Sequence, residues 1–212
     1  MFGSASTFPV WERSHHARKV DAELNNSCRI ITGTLKPTPV PALYRLSGIA
    51  PPHIRRETTS KVHKHRQETD SRHPLYNHTP PRRRLKARKS FSTVESIDPD
   101  HVPIYRPFAW KEWDNYQNEA VQQPCEKISL GSNLTRNEWV ALNRGRTKTG
   151  RTAESMQRWR LQEDSGCPCG RSIQTMEHIL RECELGPSCT DSDLFACTPA
   201  AIEWIQYWRD KI

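Results

Sequence analysis

The stretch GCPCGRSIQTMEHILREC, residues 166–183, decides how the C-terminal part of the chain can fold. It contains four side chains that bind soft or borderline metal ions, namely Cys167, Cys169, His178 and Cys183. A structural zinc site uses four such ligands at the corners of a tetrahedron, and no position is then left for an activated water. The spacing therefore predicts a zinc knuckle over residues 166–186, with a structural and not a catalytic role.

The residues between these ligands suit a knuckle. Pro168 and Gly170 flank Cys169, which is typical of a tight loop that turns backbone amides towards thiolates. Thr175 is a suitable N-cap for a short helix that carries His178 in its first turn. The alternative is that these cysteines are ordinary thiols and that the histidine makes a single hydrogen bond.

Composition argues against one large core. The chain has 212 residues, of which 34% are hydrophobic, and it contains 16 prolines. A chain of this kind is expected to form small cores joined by exposed segments. We expect a mainly α fold in three parts: a helical segment over 1–66, a basic, proline-containing linker with one short helix over 67–128, and a second helical module over 129–212 that contains the knuckle and a C-terminal helix.

Apolar residues recur at intervals of three or four along several stretches, which indicates helices. The first runs over 17–31 and buries Cys28, with Gly33 as its stop. Pro39 and Gly48 are expected to begin and end the second. Later helices are predicted over 53–66, from Pro107 with one face formed by Ala109, Trp113, Tyr116 and Ala120, from Thr135, and over 199–209 with Thr198 as N-cap.

The helix that starts after Thr135 carries the clearest local signal. Thr135 and Glu138 match the capping box, in which each side chain answers an otherwise unpaired backbone donor. Trp139 and Leu142 are predicted to be buried, and the helix is predicted to pack against the C-terminal helix. Gly145 lies inside it and costs about 1 kcal/mol relative to alanine. The exposed side is predicted to carry the arginines Arg136, Arg144 and Arg146.

Positive charge is concentrated in one segment. Residues 53–89 hold 12 Lys and Arg against 3 Asp and Glu, a net charge of +9, so the remainder of this +8 chain sums to −1. Clustered cations gain affinity for nucleic acid by displacing condensed counterions, although a solvated linker or helix face has the same composition. The candidate phosphate contacts are Arg55, Arg56, Arg82, Arg83, Arg84, Lys86, Arg88, Lys89, Arg144, Arg146 and Arg151.

The cysteine count is odd, at seven, and the cysteines are widely spread, which does not suit a disulfide scaffold. The N-terminal residues have no apolar run long enough for a signal-peptide core, and no stretch is long and apolar enough to cross a membrane. We therefore expect an intracellular protein, in the nucleus or cytoplasm, with reduced thiols, no membrane and no small-molecule substrate. Cys189 and Cys197 are expected to lie in a loop before the last helix and to bind no metal.

Three stretches together resemble the C-terminal region of reverse transcriptases from non-LTR retrotransposons, particularly the jockey-like group. VWERSHHARKVDAELNNSCRIITGTLKPTPVPALYRLSGIAPPHIRRE, residues 10–57, is similar to the family's thumb. TRNEWVALNRGRTKTGR, residues 135–151, is similar to its downstream helix with arginines. CPCG at 167–170 and TMEHILREC at 175–183 are similar to its terminal cysteine and histidine motif.

The resemblance implies a thumb-like segment over 1–66 that holds a template–primer duplex, and a knuckle that contacts the element's RNA or the target DNA. Polymerases of this kind hold two metal ions on palm carboxylates, including paired aspartates. The chain has no Asp-Asp pair, and its similarity begins after the palm. We therefore expect a non-catalytic fragment whose parent polyprotein would be an RNA-directed DNA polymerase.

The sequence departs from the family pattern at two positions, since an apolar residue usually stands where Gly145 is and a glycine where Lys148 is. Two other functions stay open. One is a stand-alone zinc-binding adaptor for a protein partner, with exposed Trp204 and Trp208 as anchors. The other is a decayed transposon remnant without function.

Overall fold

The structure, a computed structural model, describes residues 16–78, 106–115 and 126–212. These residues are mainly helical and contain no strand, which confirms the predicted fold class. Nine helices lie within the described ranges: α1 Ala17–Thr32, α2 Val40–Ser47, α3 Pro52–Thr69, α4 Arg106–Asn115, α5 Arg136–Thr147, α6 Ala153–Arg158, α7 Met176–Arg181, α8 Asp191–Ala196 and α9 Pro199–Trp208.

The chain divides into two compact units. The first comprises Met1–Leu24 and Ala50–Glu126, and the second comprises Asn25–Ile49 and Lys127–Ile212. The expected parts were 1–66, 67–128 and 129–212, so the observed grouping differs both in the number of parts and in their boundaries. Residues 25–49 belong with the C-terminal unit and not with the N-terminal segment.

In the first unit, α3 is longer than predicted and buries Ile54 and Thr58, which lie four residues apart on one face of the helix. Arg56 is also buried, and both of its terminal nitrogens donate to the carboxylate of Asp21. Because burying an unpaired guanidinium would be costly, this ion pair accounts for the placement of Arg56 inside the unit.

The short helix α4 buries a different residue from the one expected. Trp110 is fully buried, whereas Trp113 is only partly buried and contacts the ring of His53 edge-on, with ring centroids 5.5 Å apart. The predicted face of Ala109, Trp113, Tyr116 and Ala120 is thus shifted by one position, and Tyr116 and Ala120 lie outside the described residues.

In the second unit, the end of α1 packs against α5, which explains why residues 25–49 belong there. Trp139 donates its indole N–H to the carbonyl of Ile31 at 2.9 Å, and the Asn143 amide donates to the carbonyl of Thr32 at 2.9 Å. Gly33 ends α1 with φ +70°, and a Cβ at that position would lie 2.2 Å from the Val140 side chain. Only glycine suits this crossing.

Helix α5 begins as the capping box predicts. The Glu138 carboxylate accepts hydrogen bonds from the Thr135 backbone N–H at 3.1 Å and from its hydroxyl at 2.6 Å. Trp139 and Leu142 are buried, as expected. The arginines do not share one environment, because Arg136 is exposed, Arg144 is partly buried and Arg146 is buried. The prediction that Arg146 lies on the exposed side is therefore wrong.

Gly145 has a packing role. A Cβ at this position would lie 3.1 Å and 3.2 Å from ring atoms of Trp204 and 3.3 Å from Leu194. The missing side chain thus admits the indole of α9 close to the α5 backbone. This contact also confirms that the last helix packs against the helix that contains Trp139, and it offsets the intrinsic cost of glycine in a helix.

Helices α6 and α8 were not predicted. Each has only six residues and begins at a threonine, Thr152 or Thr190, whose hydroxyl accepts a backbone N–H three residues on. Helix α9 begins after Thr198, as predicted. Its tryptophans Trp204 and Trp208 are buried, so the expectation that they are exposed anchors for a partner is wrong.

Among the described residues, no helix combines the length and the apolar character needed to span a bilayer.

We expect Gly145→Leu to lower the free energy of unfolding by about 1–3 kcal/mol, because the new side chain would overpack the contact with Trp204. Asn137→Leu adds the same side chain at an exposed position of α5 and should change stability by less than about 0.5 kcal/mol. Urea unfolding followed by circular dichroism measures both. Equal midpoints for the two variants would contradict the described α5–α9 contact.

Candidate metal centre

The loop that precedes α7 holds the first two ligands. Cys167 donates its backbone N–H to the carbonyl of Arg171 at 2.8 Å, and Gly170 donates to the carbonyl of Cys167 at 2.9 Å. Gly170 has φ +94°, a conformation that favours glycine. These bonds close the tight loop that the flanking Pro168 and Gly170 predict, and they place both thiols on the side of α7.

Helix α7 supplies the third ligand. The Thr175 hydroxyl accepts a hydrogen bond from the His178 backbone N–H at 3.1 Å, which confirms Thr175 as the N-cap. Ile179 and Leu180 on the same helix are fully buried. The apolar face therefore fixes how α7 is rotated about its axis, and this rotation directs His178 towards the cysteine loop.

Cys183 reaches the site from just beyond the end of α7. Its backbone N–H donates to the carbonyl of His178 at 2.9 Å. This hydrogen bond spans five residues, whereas those of a regular α-helix span four. Five residues along a regular helix would place Cys183 on another face than His178. The terminated last turn brings the two side chains together, as the spacing predicts.

The four ligand atoms converge. The sulfur atoms of Cys167, Cys169 and Cys183 and a ring nitrogen of His178 all lie within 4.8 Å of one another. The Cys167 and Cys183 sulfurs are 3.7 Å apart, and the Cys169 sulfur is 3.2 Å from His178 Nε2. Zinc–sulfur bonds of about 2.3 Å in a tetrahedron place two sulfurs about 3.8 Å apart. These residues can therefore bind a metal ion, and the separation of the Cys167 and Cys183 sulfurs is close to that of a tetrahedral site.

The sulfur separation also excludes a disulfide. A disulfide would place the Cys167 and Cys183 sulfurs about 2.05 Å apart, and both cysteines are free. Cys167, Cys183 and His178 are buried and Cys169 is partly buried. Cys167 and Cys183 belong to the same apolar core as residues of α5 and α9, so the site is continuous with that core.

The electrostatics of the cluster favour one thiolate before any metal is added. Burial raises the pKa of Cys167, but hydrogen bonds from Cys169, the Gln174 amide and His178 outweigh it and lower that pKa to about 6. Burial and the neighbouring Cys167 raise the pKa of Cys183 to about 11. A cation between the two sulfurs would stabilise both thiolates, since only the deprotonated thiol is a metal ligand.

The other cysteines that the structure describes are not members of this cluster. Cys28 is buried, as predicted, and the Ser47 hydroxyl is 3.6 Å from its sulfur. Cys189 is buried and Cys197 caps the end of α8 with φ +53°. The cluster formed by the described residues includes none of these three.

The predicted phosphate contacts fall into different environments. Arg82, Arg83, Arg84, Lys86, Arg88 and Lys89 lie outside the described residues. Arg55 is partly buried, Arg56 is paired with Asp21, and Arg151 is exposed. Arg144 is partly buried and donates to the carbonyl of Ile212. Of these four, only Arg151 is exposed.

Arg146 is used inside the protein. Its Nε donates to the carbonyl of Leu194 at 2.9 Å, and its Nη2 donates to the carbonyls of Leu130 at 2.8 Å and Phe195 at 3.3 Å. Burial lowers the pKa of Arg146 to about 10, which leaves it charged at neutral pH. Such a guanidinium joins α5, α8 and the segment before α5, and it is not available to a phosphate while these bonds persist.

Comparison with models of protein families, with curated proteins and with solved structures finds no match for this chain. The resemblance to reverse transcriptases rests on the sequence motifs alone and stays a prediction.

We expect Arg146→Gln to destabilise the protein by at least about 2 kcal/mol, because buried carbonyls would lose their donors. Arg151→Gln removes the same charge from an exposed position and should stay within about 0.5 kcal/mol of the unmodified protein. The midpoint of urea unfolding distinguishes the two. A neutral Arg146→Gln would mean that Arg146 is not part of the folded interior.

Proposed function

We propose that the Cys167, Cys169, His178 and Cys183 cluster binds one Zn²⁺ as a structural ion. The observation that carries this proposal is the convergence of four ligand atoms within 4.8 Å. Three thiols and one imidazole are the donor set that zinc takes in closed structural sites, while magnesium and calcium take oxygen ligands. With four protein ligands the site has no open position, which argues for folding and against catalysis.

The folding role follows from the size of the elements. Helix α7 has six residues, and isolated helices of that length are unstable in water. Zinc bound by the loop cysteines, the helix histidine and Cys183 would link three segments of the chain, and its binding free energy would be folding free energy.

Purified protein is expected to contain one Zn²⁺ per chain, measured by elemental analysis and by release to a chromophoric chelator. Cys183→Ser should lose the metal and become less helical. Cys189→Ser is the matched control, because Cys189 is also buried in the second unit but lies outside the cluster. Metal content that is equally low in both variants and in the unmodified protein would refute the site.

We also propose that the chain is a non-catalytic C-terminal fragment of a non-LTR retrotransposon reverse transcriptase, acting on RNA or DNA in the nucleus or cytoplasm. Two features support this proposal: the similarity of three sequence stretches in the family's order, and the net charge of +9 within residues 53–89. Contacts between these cations and phosphates predict salt-sensitive binding that depends little on nucleotide sequence.

Binding to single-stranded RNA should weaken as salt rises, by roughly 0.7 in the slope of log K against log salt for each phosphate contacted. Replacing the six cations of residues 82–89 with glutamine should reduce that slope. The control replaces six exposed cations elsewhere, namely Arg18, Lys19, Lys36, Arg158, Arg160 and Lys211. Fluorescence anisotropy at salt concentrations from about 50 mM to about 500 mM measures this slope for both variants. Equal slopes for both variants would exclude the segment as the binding surface.

The adaptor alternative loses its specific support. It relied on Trp204 and Trp208 as exposed anchors, whereas both indoles are buried in the core of the second unit.

A further inference from the structure

The ring of His178 presents its two nitrogens to different surroundings. Nε2 faces the thiol cluster and lies 3.2 Å from the Cys169 sulfur. Nδ1 points away from the cluster, is buried, and has no hydrogen-bond partner among the described residues. A neutral imidazole that ligates through Nε2 must carry its proton on Nδ1. The ring therefore needs an acceptor on the Nδ1 side.

Glu182 is placed to be that acceptor. Its Oε2 lies 3.8 Å from His178 Nδ1, four residues further along the chain on the same side of α7. The separation is longer than a hydrogen bond, but rotation about the side-chain bonds of a half-exposed glutamate can shorten it. The same carboxylate oxygen lies 3.1 Å from Arg171 Nη2, which steadies it close to the imidazole.

Arg171 connects Glu182 to the loop that carries the cysteines. It follows directly after the loop that carries Cys167 and Cys169, and its carbonyl closes that loop by accepting from the Cys167 backbone N–H. Glu182 follows α7 and precedes Cys183 in the chain. The Arg171–Glu182 ion pair therefore joins the residue after the cysteine loop to the end of the helix, beside His178.

We infer that Glu182 is a positioning residue for the metal centre: it accepts the Nδ1–H of His178, fixes the tautomer that offers Nε2 to the cluster, and is held in place by Arg171. Carboxylates commonly act in this way on metal-binding histidines, where they orient the ring and raise its basicity. The inference rests on the proposed zinc site, because it assigns Glu182 a role only through His178.

The test measures zinc affinity by competition with a chromophoric chelator in the full-length chain. Glu182→Ala should weaken zinc binding by roughly 10- to 100-fold, the range for such supporting residues. Glu182→Gln keeps a neutral acceptor and should recover part of the loss. Glu184→Ala is the control, because Glu184 is an exposed glutamate two residues away, and it should bind zinc as the unmodified protein does.

Nuclear magnetic resonance of the zinc-loaded, unmodified protein provides a second measurement that needs no variant. Two- and three-bond nitrogen–proton couplings should show His178 protonated at Nδ1, and that proton should exchange slowly with water. A ring protonated at Nε2, or a rapidly exchanging Nδ1 proton, would overturn the role of Glu182 even if Glu182→Ala failed to fold.

The outcomes separate the two proposals. If the unmodified protein binds no zinc, the proposed metal site fails. If it binds zinc and Glu182→Ala binds with the same affinity, the metal site stands and the inference about Glu182 is wrong.

Discussion

An isolated helix of six residues is unstable in water. The second unit nevertheless places His178, Ile179 and Leu180 on such a helix, α7. Helix α7 is fixed on one side by Ile179 and Leu180, which enter the apolar core, and on the other by the cluster that includes His178. Each support depends on the other. The core sets the rotation of α7 and so directs His178 towards the cysteines, of which Cys167 and Cys183 belong to the same core and Cys169 packs against it. The proposed metal binding and the packing of the core would therefore stabilise the same elements.

Helix α5 shows which features of a helix can be predicted from nearby residues and which cannot. Its start follows from Thr135 and Glu138 alone, because a capping box is completed within four residues. The roles of Gly145 and Arg146 could not be predicted in the same way. Glycine suits position 145 because Trp204 of α9 lies close to it. Arg146 can be buried because three backbone carbonyls outside α5 accept hydrogen bonds from its guanidinium. Gly145 and Arg146 thus determine how α5 packs against α9 and α8.

Features that depend on nearby residues could be predicted from the sequence, and features that depend on distant contacts could not. The ligand set, the caps at Thr175 and Thr198 and the burial of Cys28 were predictable, because each depends on spacing or on nearby residues. Helices α6 and α8 are too short to show a hydrophobic period, so their threonine caps were the only available signal. The grouping of residues 25–49 with the C-terminal unit depends on hydrogen bonds from α5 to the end of α1, over more than a hundred residues. No local pattern records such a contact.

The charges around the proposed metal centre limit what it could contribute to nucleic-acid binding. Three thiolates and a neutral imidazole around a divalent cation leave a net negative charge, which repels phosphate. The nearby cations are already engaged, since Arg171 pairs with Glu182, and Arg181 pairs with Glu177 and Asp191. Lys148 is likewise shared between Glu177 and Asp191. A knuckle with this balance attracts a polyanion weakly. If the chain binds RNA or DNA, we expect the main electrostatic attraction to come from the segment over residues 53–89, and the proposed metal centre would contribute by holding the second unit in its folded form.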